Sequence, residues 1–186
     1  MFKAQNLGIK FAQNEWVCVI NSGDKLVRDA RSMFEKHVAD DLAVECHVYS
    51  QIYSYPCSEK VRKFQPTDNS LWPHQSILMK KSVHLRYGFY PTDYKYTAEQ
   101  IFYAKVRGNL IYSIHEDVLS WFSLGGLSYD VNLQIFREMY NVRRFLGCSY
   151  ICAFWRGYLT PLLRFLVTKL FGRMAMLKVK DKFLRW

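Results

Sequence analysis

Residues 82–91, SVHLRYGFYP, carry the alternation on which the fold class turns. Val83, Leu85, Tyr87 and Phe89 interleave with His84, Arg86, Gly88 and Tyr90 until Pro91 closes the run, which is the period of a strand with one buried face. Upstream, LGIKF (7–11) and WVCVI (16–20) are short apolar runs separated by AQNE, the pattern of an N-terminal hairpin. Between these strands, Asn21 or Ser22 can cap a helix whose buried face is Leu26, Val27, Ala30, Met33, Phe34, His37, Val38 and Leu42, running towards residue 50. Residues 54–75, with Pro56, Pro66 and Pro73 among Ser, Asn and Asp, read as a long irregular connection.

Downstream the pattern is helical. Thr97 and Gln100 form a capping box ahead of Ile101, Phe102, Lys105 and Val106, and Gly108 ends that helix. A second helix fits 109–123. A third, capped by Ser128 after Gly125 and Gly126, has Val131, Ile135, Met139, Val142 and Leu146 on one face. A last one starts with Thr160 as cap and Pro161 as first residue, with Leu162, Leu163, Leu166, Val167, Leu170 and Phe171 on its apolar side. The expected fold is therefore α+β and predominantly helical. In it a small antiparallel sheet, made of the N-terminal hairpin and the strand near 83–90, packs with four or five helices in one domain spanning 1–186.

Charge is distributed unevenly along the 186 residues. The chain carries a net +10, yet residues 143–186 hold ten Lys and Arg against the single acid Asp181. A field of one sign that strong favours a polyanion. The cations are Arg143, Arg144, Arg156, Arg164, Lys169, Arg173, Lys178, Lys180, Lys182 and Arg185, and several Lys and Arg on one surface suffice to grip phosphates. Tyr87, Tyr90, Tyr94 and Tyr96, interleaved with Arg86 and Lys95, are candidates to stack bases. The longest uncharged runs of the apolar C-terminal stretch, 145–155 and 157–163, are too short to span a bilayer. With Trp155, Tyr158 and Phe165 beside cations, the same segment also fits an anionic membrane surface or a protein partner, self-association included.

Catalytic signatures are absent: there is no phosphate-binding glycine loop, no dinucleotide fingerprint, no HExxH and no nucleophile elbow. Cys46, His47, Cys57, His74 and His84 could be combined into a zinc site only across irregular gaps, and nothing orients Cys57 towards His74 or His84 as a nucleophile pair. Cys148 and Cys152, one helical turn apart, read as small buried hydrophobes. An odd count of five Cys, and a start without the apolar core of a secretory signal, point to an intracellular and cytoplasmic chain with reduced thiols. No cofactor, metal or catalytic residue is expected. The sequence thus points to a non-catalytic nucleic-acid-binding protein, more specifically one that sequesters RNA, as virus-encoded accessory proteins that suppress silencing do; the alternative is a membrane-associated or protein-partner adaptor.

Overall fold

Ten residues from Cys46 to Tyr55, CHVYSQIYSY, form the strand around which the computed structural model is organised. The structure describes residues 1–55, 58–64, 70–123, 133–163, 165–167 and 169–171. We label the strands β1 (Trp16–Cys18), β2 (Lys25–Leu26), β3 (Cys46–Tyr55), β4 (Ser58–Arg62), β5 (Ile77–Lys80) and β6 (Tyr112–Ser123), and the helices α1 (Phe2–Phe11), α2 (Ala30–Asp40), α3 (Lys81–Tyr87), α4 (Ala98–Val106), α5 (Leu133–Phe145) and α6 (Tyr150–Phe154). The sheet order is β1-β5-β3-β6-β2, with β4 also pairing β3. β3 and β6 run parallel and the other pairs antiparallel, so the sheet is mixed.

Alternation along the central strands divides the core into two layers. Cys46 and Val48 of β3, with Ile77 and Met79 of β5, face the layer of α1, α3 and α4, where Phe2, Ile9, Val83, Ala98, Phe102, Tyr103 and Val106 meet them. Tyr49 and Leu78 point the other way, together with Leu119 of β6, towards Ala30, Met33, Phe34 and Val38 of α2. On the outer side of α4, α5 packs through Ile101, Val142 and Leu146. Glu138 of α5 is 95% shielded and accepts the backbone N–H groups of Lys95, Tyr96 and Thr97 at 2.8–3.1 Å, so a carboxylate borrowed from another helix supplies the cap of α4 that Thr97 does not.

The expected small antiparallel sheet is corrected by this architecture. Residues 83–90 are not a strand: 81–87 form α3, with Val83 and His84 buried side by side and Leu85 exposed, and Gly88 at φ 89° ends it in the left-handed conformation. Nor do 7–11 form half of a hairpin, because they belong to α1, and β1 pairs β5 instead. The helix expected from residue 22 occupies only 30–40, and its expected extension towards 50 is the start of β3. Residues 112–123, expected as helix, are β6. The helix from Thr97 is present as α4, and α5 runs within the third expected helix; the Ser128 cap falls outside the described residues.

Thr160 is not a cap. The C-terminal helix starts at α6, passes through a π-helical turn at Trp155–Leu159 and continues over 160–163, 165–167 and 169–171. Pro161 lacks the N–H that would bond back along the helix, and the wider turn just before it absorbs that break, with Thr160 Oγ1 donating to the Trp155 carbonyl at 3.1 Å. Among the described residues no helix is long and apolar enough to cross a membrane.

Candidate active site

The parallel pair β3 and β6 sets a direction. Ligands of open sheets with parallel strands gather at the carboxyl ends, where loops leave the sheet. Two segments meet there. The turn 21–24 follows β1, and Gly23 at φ 92° turns it back so that Asp24 can lie beside the last residue of β6. Asp24 Oδ1 accepts the Ser123 N–H at 2.8 Å, and its carboxylate also takes a hydrogen bond from the Gln75 side chain. Partial burial still raises the Asp24 pKa from its ordinary value, against the effect of those bonds.

The segment 70–76 carries the connection onward. Ser76 Oγ lies 2.6 Å from Ser120 Oγ inside the sheet, and Gln75 reaches Asp24 from the same 3-10 turn, His74–Ser76. At its other end, Trp72 exchanges two hydrogen bonds with the Gln100 side chain, at 3.1 and 2.9 Å, and is thereby fixed to the first turn of α4. Glu99 occupies that turn. Its Oε2 is shut off from solvent and has no hydrogen-bond partner among the described residues, and burial, helped by the charge of Glu138, pushes the carboxyl up to about 8. This carboxyl is enclosed at the junction of α4 with α5, where Glu138 caps the same helix end.

A second set of titratable groups sits beneath. His74 Nδ1 lies 2.8 Å from Tyr103 Oη, which is 3.2 Å from Tyr90 Oη, and His84 stacks on Phe102 at 4.7 Å. Burial lowers both His74 and His84 to about 4, so both rings are neutral at physiological pH. They anchor the segment 70–76 and α3 to α4.

The residues singled out from sequence lie elsewhere. Arg143 is buried in α5, and Arg144 donates to the Cys148 carbonyl at 2.6 Å while lying 3.7 Å from the Tyr150 ring centroid. Arg156 is exposed on the π turn; Lys169 is exposed with Nζ 5.7 Å from the Phe165 ring centroid. Arg164, Arg173, Lys178, Lys180, Lys182 and Arg185 fall outside the described residues. Tyr90 is only 3% exposed, inside the core, whereas Tyr94 and Tyr96 are half-buried and Tyr87 lies at the surface, donating to the Asn109 carbonyl. Among the described residues, Arg143 is buried while Arg156 and Lys169 are exposed, and the four tyrosines range from the core to the surface. Cys46 and His47 point to opposite faces of β3, and Cys57 falls outside the described residues. Asp24 and Gln75 were missed by the sequence reading; the one local sign was the turn NSGD (21–24) directly after an apolar strand.

No protein-family model matches the chain, and no curated protein matches it in sequence. Its fold does have solved counterparts. The chain superposes on Staphylococcus aureus TarS 1–349 in complex with UDP-GlcNAc with a TM-score of 0.63 at 14% identity, covering 98% of this chain and 57% of that one. Against TarS 1–349 in a further crystal structure the TM-score is 0.59 at 13% identity over 96% and 56%, and against its UDP complex 0.55 at 14% over 97% and 55%. The chain thus shares the fold of a glycosyltransferase and spans a little over half the length of that solved chain. This finding overturns the expectation of a non-catalytic RNA-sequestering protein or adaptor, and with it the silencing-suppressor analogy: the fold is the one seen in TarS, reached without any of the local motifs that were sought.

Proposed function

We propose that the chain is part of a nucleotide-sugar transferase, with Asp24 and Gln75 at its working edge. The observation that carries this reading is the superposition of nearly the whole chain on TarS in its UDP-GlcNAc complex. The chemistry of the site agrees with it. In glycosyl transfer the bond between the anomeric carbon and the diphosphate breaks and the nucleoside diphosphate leaves. The acceptor oxygen then bonds to that carbon and gives up its proton. Asp24 and Gln75 present polar groups to the donor at the carboxyl end of β6.

The test uses saturation-transfer NMR for binding of UDP and UDP-GlcNAc, and UDP release for turnover. Wild type binds both, while Asp24→Ala weakens binding and lowers turnover by roughly 10-fold or more. A chain that binds neither compound at millimolar concentration sinks the proposal.

A partner follows from the other end of the molecule. The C-terminal helix exposes Leu162, Leu163, Leu166, Leu170 and Phe171, from 40% to 72%, next to exposed Arg156 and Lys169. We infer an anionic membrane surface as the partner of this helix, which an apolar face flanked by cations fits.

A further inference from the structure

A group of imidazoles remains that the transferase reading does not use. His37 on α2, His115 and Asp117 on β6 each place one potential ligand atom within 4.8 Å of the others. The sequence separates His37 from the other two by more than 70 residues, so only the packing of α2 on the sheet creates the group. Two features show that the site is built.

The first is how the rings are held. His37 Nδ1 lies 3.2 Å from the hydroxyl of buried Tyr49, which leaves Nε2 facing Asp117 Oδ2 at 3.6 Å. His115 Nε2 lies 3.0 Å from Nδ1 of His47, a residue 1% exposed, which leaves Nδ1 as the nitrogen that His115 has for an ion. Histidines that bind metals are characteristically fixed in this way, through the ring nitrogen that does not ligate.

The second is in the backbone. The β3–β6 register jumps from Tyr49↔His115 to Ser50↔Val118, so Glu116 and Asp117 are extra residues in a bulge of β6. A bulge re-aims side chains, and this one brings the Asp117 carboxylate to the two imidazoles while leaving it 56% exposed, open to entry from solvent.

We propose that His37, His115 and Asp117 bind a divalent transition-metal ion of zinc's class, with water completing the coordination. Two imidazoles and one carboxylate suit zinc, whereas magnesium prefers an all-oxygen shell. The rings now stack at 3.9 Å and 12°, so binding rotates one of them until both lone pairs meet the ion. The site lies about eight strand residues from Ser123, on the order of 25 Å from the candidate active site, and the ion staples α2 to β6.

The experiment is calorimetric titration of the chelator-stripped protein with Zn²⁺, alongside Mg²⁺. One equivalent of Zn²⁺ binds with micromolar or tighter affinity and raises the melting temperature; Mg²⁺ does neither. Asp117→Asn, a substitution at a half-exposed position, and His37→Gln each weaken Zn²⁺ by roughly 10- to 100-fold, while Cys152→Ser leaves it unchanged. In NMR spectra the ring nitrogens of His37 and His115 shift on zinc addition, and those of His74 do not. Absence of binding at micromolar Zn²⁺, equal affinity in wild type and Asp117→Asn, or loss of binding in Cys152→Ser alone overturns the proposal. UDP-GlcNAc binding is measured in the same preparations, so failure of this site is separable from failure of the transferase reading.

Discussion

His84 lies between Phe89 and Phe102, stacked at 6.1 and 4.7 Å, and is only 1% exposed. A charged ring there would lose its hydration with no carboxylate beside it, which is why its pKa falls to about 4. His74 behaves alike, depressed first by burial and then by His84. Unfolding returns both rings to an ordinary value of about 6.5, so the unfolded chain takes up protons that the folded chain cannot. Their stabilisation is complete above that value and is lost as pH falls through it towards 4. Between about pH 7.5 and about pH 5 each ring withdraws about 2 kcal/mol, which denaturant titrations at the two pH values measure. His84→Phe keeps the stack and abolishes its share of the pH dependence; an unchanged pH profile in that variant would show that the ring is not held neutral. Sequence spacing marked His74 and His84 only as members of an irregular Cys/His set. Their actual role depends on aromatic neighbours 5 to 29 residues away, such as Phe89, Phe102 and Tyr103, which no local pattern displays.

At the scale of elements, helices with one apolar stripe were legible and strands buried on both faces were not. α5 follows its spacing because it presents one side to the core and the other outward, whereas α4 is covered by the sheet layer on one side and by α5 on the other. β3 buries Cys46, His47, Val48, Tyr49, Ser50 and Gln51 consecutively, so the alternation that marks a strand disappears. α3 shows the converse: four alternating apolar residues suggested a strand, but Gly88 was a helix stop in the left-handed region, and the segment is a short helix. The junction of α5 with the C-terminal helix depends on one glycine. A Cβ on Gly157 would stand 2.6 Å from Tyr140 Cα and 2.7 Å from Tyr140 N, backbone atoms that cannot turn aside. Gly157→Ala forces the helices apart and costs roughly 1–3 kcal/mol, read as a fall in melting temperature. Gly108→Ala, whose Cβ meets nothing within 4 Å, stays within about 0.5 kcal/mol. Equal stability of the two variants would refute the close approach.

For the whole molecule, the net charge of +10 and the apolar C-terminal helix together predict where it sits. Vesicles rich in phosphatidylserine carry the protein upward in flotation, phosphatidylcholine vesicles do not, and salt weakens the effect. Leu166→Asp with Leu170→Asp abolishes flotation without loss of UDP-GlcNAc binding; flotation unchanged in that variant removes the membrane surface as a partner. Some of this was readable in the chain alone: the concentration of cations from Arg143 onward, the amphipathic helices and the short uncharged runs at 145–155 and 157–163 are all local in sequence, and periodicity and composition report local properties directly. The mixed sheet, the meeting of Asp24 with Gln75 and Ser123, and that of His37 with His115 were decided by tertiary structure. Each joins residues tens of positions apart through a parallel strand pair and two packed layers, and neither the depth of a carboxyl group nor the neighbour of an imidazole is written in the spacing around it.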